Sequence, residues 1–234
     1  MQVKIERTIQ LPELRRLELY RRSPELGPKI LFFTGGSALK KVSEELIYYT
    51  HNSMHIIPSV DSGGSSAVLR TAFEMPAIGD IRNRLMALAD RGLAGNQDIF
   101  RLFSFRFPKS DSQESLSDQL LKLTNGTHPM IVRIDNPMRQ IIQLLLSRFA
   151  RAMPDDFDLR GACIGNLILT GGYLDAGRHI DPIIYIFSKL VNVRGHVASM
   201  VDRYLHLVAE LKSGELIVGQ HLLTGKDVPP MQGP

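Results

Sequence analysis

KILFFTGGSALKKVSEEL, residues 29–46, is the stretch on which the fold turns. Lys29–Phe33 is a short apolar run, Thr34, Gly35, Gly36 and Ser37 follow, and Ala38–Tyr49 carries apolar residues at helical spacing. That order is strand, glycine turn, helix. It recurs at once, because His55–Val60 (HIIPSV) ends at Asp61-Ser62-Gly63-Gly64-Ser65-Ser66 and Ala67–Phe73 resumes a helical pattern. Strands that alternate with helices and end at glycine-rich turns specify an α/β fold, with a parallel sheet and helices on both faces.

Toward the C-terminus, Pro76 leads into IGDIRNRLMALAD, where Asp80 is placed to cap a helix whose face carries Ile81, Leu85, Leu88 and Ala89. LFSFRF, residues 102–107, suits either a strand or the end of a helix. Residues 110–154 start polar and read as an inserted, mostly helical lobe, with an extended piece at Met130–Ile134 and a strong helix over Pro137–Ala152. Ile164–Thr170 and His179–Leu190 are further helices. Leu205–Leu211, Ser213-Gly214 and Leu216–Val218 alternate apolar and polar residues about a turn, the pattern of a β-hairpin. Toward the N-terminus, Leu11–Arg22 has Pro12 near its start and forms a short amphipathic helix in an extension over residues 1–28. Its Arg15, Arg16, Arg21 and Arg22 read as a solvated surface in preference to an anion-binding face. The expected division is a core of residues 29–109 and 155–223, the lobe of 110–154 between them, and a tail of 224–234 with no periodic pattern.

Composition narrows the function. The 234 residues are 44% hydrophobic and 22% charged, which supports a packed core and excludes a disordered chain. Twenty-eight Lys and Arg against 24 Asp and Glu leave a small net +4 with no basic block, so no nucleic-acid partner is expected. Cys163 is the single cysteine, which rules out an intramolecular disulfide and points to a reducing compartment. No apolar run approaches the roughly 18 residues of a membrane span and no signal-peptide pattern opens the chain, so a cytoplasmic protein without a membrane partner is expected.

The turns carry the chemistry. A glycine turn between a parallel strand and a helix brings backbone N–H groups close to an anion, and the helix N-terminus adds partial positive charge. Gly35, Gly36 and Ser37 offer that arrangement, but without the spacing of a dinucleotide fingerprint or a P-loop. Asp61 stands at a strand's carboxyl end beside Gly63, Gly64, Ser65 and Ser66. There it can hold a ribose, a base edge or a magnesium ion, or cap the turn and the next helix together with Ser65. In Gly79-Asp80-Ile81-Arg82-Asn83, Arg82 and Asn83 place donors in a first helical turn, suited to phosphate. Gly165 and Asn166 open the fourth turn, GACIGN (161–166), where Asn can read a base or bind an oxygen. Cys163 has no basic neighbour in sequence and reads as a buried thiol. His51 and His55 straddle a junction and do not share a helix face as zinc ligands. The serine-hydrolase elbow and the zinc-protease motif are both absent.

FFTGGSALKKVSEEL, SVDSGGSSAVLR, IGDIRNRLMALAD with LFSFRF, LRGACIGNLIL, and VNVRGHVASM followed by LHLVAEL, in this order, resemble the superfamily of the 2-phospho-L-lactate transferase (CofD) and the gluconeogenesis factor (YvcK). The resemblance runs from about Lys29 to Gln220, with the lobe as an interruption. It implies a Rossmann-like core with a nucleotide-type ligand at the carboxyl ends of the strands. One branch transfers a phospholactyl group from a nucleoside diphosphate carrier with magnesium; the other binds a UDP-sugar and regulates metabolism and cell shape. GDIRN, the run after it and NVRG are similar to the regulator branch. Thr34 stands where the family has a first glycine, Ser62 follows Asp61 where a second acidic residue is expected, and GACIGN replaces GHSLGN. One carboxylate at Asp61 holds magnesium more weakly than two. Relatives continue well past Gln220, so the chain reads as C-terminally truncated.

The resemblance and the turns together imply a UDP-sugar-type binder with Gly35, Gly36 and Ser37 on phosphate, Asp61–Ser66 around ribose or diphosphate, and Arg82, Asn83 and Asn166 completing the cradle. The alternative is a magnesium-dependent transferase with the metal at Asp61 or Asp80. A homo-oligomer, or a protein partner at the 110–154 lobe, is compatible with both.

Overall fold

The computed structural model describes residues 12–61, 63–92 and 96–224. The expected start of the first helix at Leu11, Ser62, and the tail from residue 225 lie outside them.

The elements run α1 (Leu14–Arg22), a 3₁₀ turn (Pro24–Leu26), β1 (Ile30–Phe33), α2 (Lys40–Leu46), β2 (Ser53–Ile57), α3 (Gly64–Phe73), α4 (Gly79–Ala87) and α5 (Asn96–Ser104). Then come α6 (Gln113–Asn125), α7 (Pro129–Val132), α8 (Met138–Ala152), α9 (Ile164–Asp175), α10 (Ile180–Leu190), β3 (His196–Ser199), a hairpin of β4 (Val208–Glu210) and β5 (Leu216–Val218), and α11 (Gln220–Thr224). The main sheet is parallel in the order β1-β2-β3, with Phe32 opposite His55 and His55 opposite Val197. Ser53, His55, Ile57 and Val197 are buried on one face, and α4 and α10 pack on that side of the core. Leu31, Phe33 and Met54 alternate with them and are exposed. This is the mixed α/β architecture with a parallel sheet expected from the two strand–turn–helix units, but among the described residues helices cover one face, and the face of Leu31, Phe33 and Met54 is exposed where a second helical layer was expected.

The centre of the core is a helix. Ten consecutive residues of α9, Ile164–Tyr173, are buried, which matches a helix apolar on every side. Gly171 and Gly172 let its neighbours close in: a Cβ on Gly171 would stand 1.9 Å from the Leu145 carbonyl oxygen of α8, and one on Gly172 would stand 2.2 Å from Ile183 Cδ1 of α10. Phe149 of α8, Phe73 of α3 and Phe157 share ring contacts of 5.6 to 6.2 Å, so α8 is built into the same hydrophobic core as α3 and α9.

Two local expectations need correction. Met130–Ile134 is not extended: Pro129 opens the short helix α7, and His128 Nδ1 accepts from the Met130 N–H at 3.2 Å. Proline at a first helical position and a cap outweigh the β-branched pair Ile131 and Val132. Asp80 does not cap its helix either, since α4 begins at Gly79 and Asp80 lies inside the first turn. LFSFRF resolves as a helix end at Ser104 followed by an isolated antiparallel bridge between Arg106 and Cys163.

Candidate functional site: four turns joined at the strand ends

Parallel pairing puts the turns after β1 and β2 at the same edge of the sheet, and α4 and α9 bring their N-termini to it. The joints between them are specific. A Cβ on Gly36 would stand 2.5 Å from Asp80 Oδ1, and one on Gly35 would stand 3.2 Å from Asp80 Oδ2, so the Asp80 carboxylate lies on the first glycine turn. The Gly79 N–H donates to Ser66 Oγ at 3.1 Å, which ties α4 to the start of α3. Ser65 Oγ accepts from Asn166 Nδ2 and from Arg106 Nη1, both at 3.1 Å, which ties α3 to α9. Arg82 donates to Cys163 Sγ and to Asn83 Oδ1, and its Cδ would lie 2.9 Å from a Cβ on Gly165.

The start of α3 depends on glycine. Gly64 sits at φ +54°, with nothing within 4 Å of the place its Cβ would occupy, so backbone conformation and not space excludes a larger residue. Asp61 precedes it; its Oδ1 accepts from the Gly63 N–H at 3.2 Å, and its carbonyl accepts from Arg70 Nη1 at 3.0 Å. Among the described residues, the Asp61 side chain bonds within its own turn and Asn83 Oδ1 bonds its neighbour Arg82. Among the described residues no group of three or more His, Cys, Asp and Glu side chains converges as a metal site. Asn166 is 1% exposed, and its Oδ1 has no partner among the described residues.

Three arginines belong to this constellation that the motif reading did not select. Arg106 donates to Ser65 Oγ and, at 2.7 Å, to the Gly161 carbonyl. Arg70, 2% exposed, donates to the carbonyls of Val60, Asp61 and Leu205, so the hairpin approach and the second turn share one guanidinium. Arg84, fully buried, donates to Thr34, Gly35, Ala38, Leu39 and Ser43. Burial pushes both buried guanidinium groups below their ordinary pKa. The signal was in the spacing. Ile81, Arg84, Leu85 and Leu88 lie three, four and seven apart on one stripe of α4, so a charged residue stands on the helix's buried face.

Alongside the joint runs a groove of about 1160 Å³, lined by Gly64, Ser65, Val68, Arg106, Lys109 and Arg160 among others. Asp156 and Asp158 border it too, and Asp158 is paired with Arg160 at 2.9 Å.

The family model of the 2-phospho-L-lactate transferase CofD matches residues 30–231. The chain belongs to the CofD family. It is similar to the uncharacterized protein YNL011C of Saccharomyces cerevisiae, 29% identical over 225 residues, covering 86% of this chain and 47% of the yeast protein. It is similar to the gluconeogenesis factors of Bacillus subtilis, 27% identical with 82% of this chain and 45% of that protein covered, and of Listeria innocua, 26% identical with 90% and 48% covered. A crystal structure of a UPF0052-family protein from Bacillus halodurans shares the fold, with a TM-score of 0.58 and 23% identity over 85% of this chain and 48% of that one. This CofD-family chain therefore spans about half the length of the relatives it matches. Among its described residues no helix is long and apolar enough to cross a membrane.

Proposed function

We propose that this CofD-family chain binds a nucleoside diphosphate derivative of the UDP-sugar type and acts as a regulatory binder in metabolism or cell-envelope homeostasis. The observation that carries the reading is the node at Ser65, where the N-terminus of α3, the guanidinium of Arg106 and the amide of Asn166 meet. A helix N-terminus with an adjacent Arg suits a diphosphate. The Asp80 carboxylate on the Gly35–Gly36 turn repels a phosphate set directly upon it and accepts hydrogen bonds from hydroxyls. The reading therefore puts the diphosphate at Gly64, Ser65 and Arg106, and sugar or ribose hydroxyls at Gly35, Gly36, Ser37 and Asp80. The groove beside Ser65 has room for the remainder of such a ligand. Similarity to proteins named gluconeogenesis factors supports the regulatory role, and Asp61, without a second acidic residue beside it, disfavours strong magnesium binding there.

The test is the melting temperature of the purified chain against UDP-sugars, UDP, GDP and GTP, each with and without magnesium, together with a turnover assay. A ligand that binds only the folded chain raises the midpoint. A magnesium-independent rise with a UDP-sugar and no turnover is expected. A magnesium-dependent rise with guanine nucleotides, and consumption of a nucleoside diphosphate carrier that falls in Asp61→Asn, would replace this reading with the transferase.

A further inference from the structure

We infer that Arg84 is a positioning residue that sets the shape of the first glycine turn and thereby its capacity to meet a ligand. The inference deepens the nucleotide-binding reading and rests on it for the ligand, but not for the shape of the turn.

The guanidinium is 0% exposed, and the five groups it serves all lie between residues 34 and 43. Nη1 donates to the Leu39 carbonyl at 3.2 Å and to Ser43 Oγ; Nη2 donates to Thr34 Oγ1 at 3.1 Å, to the Gly35 carbonyl at 2.7 Å and to the Ala38 carbonyl. Thr34 Oγ1 in turn reaches the same Gly35 and Ala38 carbonyls at 3.1 and 3.3 Å. Three carbonyls of one short turn are thus drawn onto a single planar cation. Among the described residues, the N–H groups of Gly35, Gly36 and Ser37 donate to no backbone acceptor. A turn whose carbonyls are engaged on a buried cation while successive N–H groups stay outside the backbone ladder is the arrangement that receives an electron-rich ligand atom.

A second observation points the same way. Leu39, the residue before α2, is held at φ +57° and ψ +16°, a left-handed conformation that a branched aliphatic residue seldom adopts. Such strain persists only where surrounding bonds over-determine it, and it concentrates at ligand sites. The Leu39 carbonyl is one of the Arg84 acceptors. Asp80, one helical turn before Arg84 on the same helix, also reaches the turn at Gly35 and Gly36, and its charge draws the Arg84 pKa upward against the effect of burial. A lysine at this position keeps the charge but is a point donor with three hydrogens, and cannot span the acceptors as the planar fork does.

The test compares native chain, Arg84→Lys, Thr34→Val and Ser43→Ala, with amide hydrogen exchange of the 34–39 backbone without ligand and calorimetric titration with UDP well below each melting point. Arg84→Lys is expected to lower the melting temperature, to speed exchange at residues 35–39 at least tenfold, and to weaken UDP at least tenfold. Thr34→Val, which removes one hydroxyl from the clamp, should change exchange and affinity in the same direction by a smaller factor. Ser43→Ala removes an acceptor in α2, outside the turn, and is expected to lower the melting temperature while leaving UDP affinity within twofold. Leu39→Gly, which relieves the left-handed residue, should recover more stability in the Arg84→Lys background than in the native chain. If Arg84→Lys fails to fold, Thr34→Val carries the test. Unchanged exchange and unchanged UDP affinity in the folded variants would overturn the positioning role. Absence of UDP and UDP-sugar binding by the native chain would overturn the nucleotide reading alone, and the exchange rates would still decide the role of Arg84.

Discussion

The Asn166 side-chain amide donates to the Ser65 hydroxyl at 3.1 Å, joining the first turn of α9 to the first turn of α3 across 101 positions of sequence. Ser65 is also the acceptor for Arg106, so one hydroxyl oxygen orders an amide and a guanidinium around the helix N-terminus proposed to hold the diphosphate. Arg106 and Ser65 both line the adjoining groove.

Asn166→Ala removes that tie. The loss of one buried hydrogen bond and of the side-chain volume is expected to cost about 1–2 kcal/mol of stability. Chemical denaturation measures it, and UDP titration of the folded variant should show weaker binding, because Ser65 and Arg106 lose their common reference.

Arg106 and Asp80 are assigned opposite roles, and inorganic pyrophosphate separates them. Arg106→Ala should weaken pyrophosphate and UDP-sugar alike, by roughly tenfold or more for a charge-assisted contact. Asp80→Ala should weaken a UDP-sugar, whose hydroxyls lose an acceptor, and leave pyrophosphate binding equal or stronger. Calorimetric titration of both probes on both variants gives the four values required.

His55 makes stability depend on pH. It is buried on the sheet, stacked on Phe32 at a centroid distance of 4.9 Å, and burial together with the Arg84 charge lowers its pKa from 6.5 to about 4. Between those values the unfolded chain holds the extra proton. The stabilisation is complete above about pH 6.5 and is lost as pH falls toward about 4, by an amount on the order of 3 kcal/mol. Melting midpoints from pH 7 to pH 4 should fall steeply in the native chain and much less in His55→Leu.

Gly171 is a point of close approach between α9 and α8. Gly171→Ala would set a methyl group 1.9 Å from the Leu145 carbonyl oxygen, so the helices must separate, at a cost of about 3 kcal/mol or more. Gly177→Ala provides the comparison: its site has open space within 4 Å but φ is +65°, so the cost there is backbone strain of about 1 kcal/mol. Urea unfolding of the two variants measures the difference.

Much of this was legible from residues 29–46 and their repetition at 55–73. Apolar runs ending in glycine turns before helical periodicity require a parallel α/β arrangement, because period and breaker are local properties of the chain. The same locality explains the misreading at Met130–Ile134, where β-branched residues suggested an extended piece and Pro129 with His128 imposed a helical turn. The four glycine-bearing turns could be named in advance, since glycine, hydroxyl and amide residues before a helical pattern mark where the chain must turn.

Their joints could not be named. Whether Ser65 meets Asn166, whether Asp80 caps a helix or lies on Gly36, and which carbonyls Arg84 gathers depend on how α3, α4 and α9 pack around the sheet. Sequence by itself determined the period of each element and the places where the chain must turn, because backbone sterics and burial of apolar faces act over a few residues. Only the tertiary structure decided which polar groups share a hydrogen bond, because a buried donor takes whichever acceptor the packed helices bring within about 3 Å, however far away it lies in the chain.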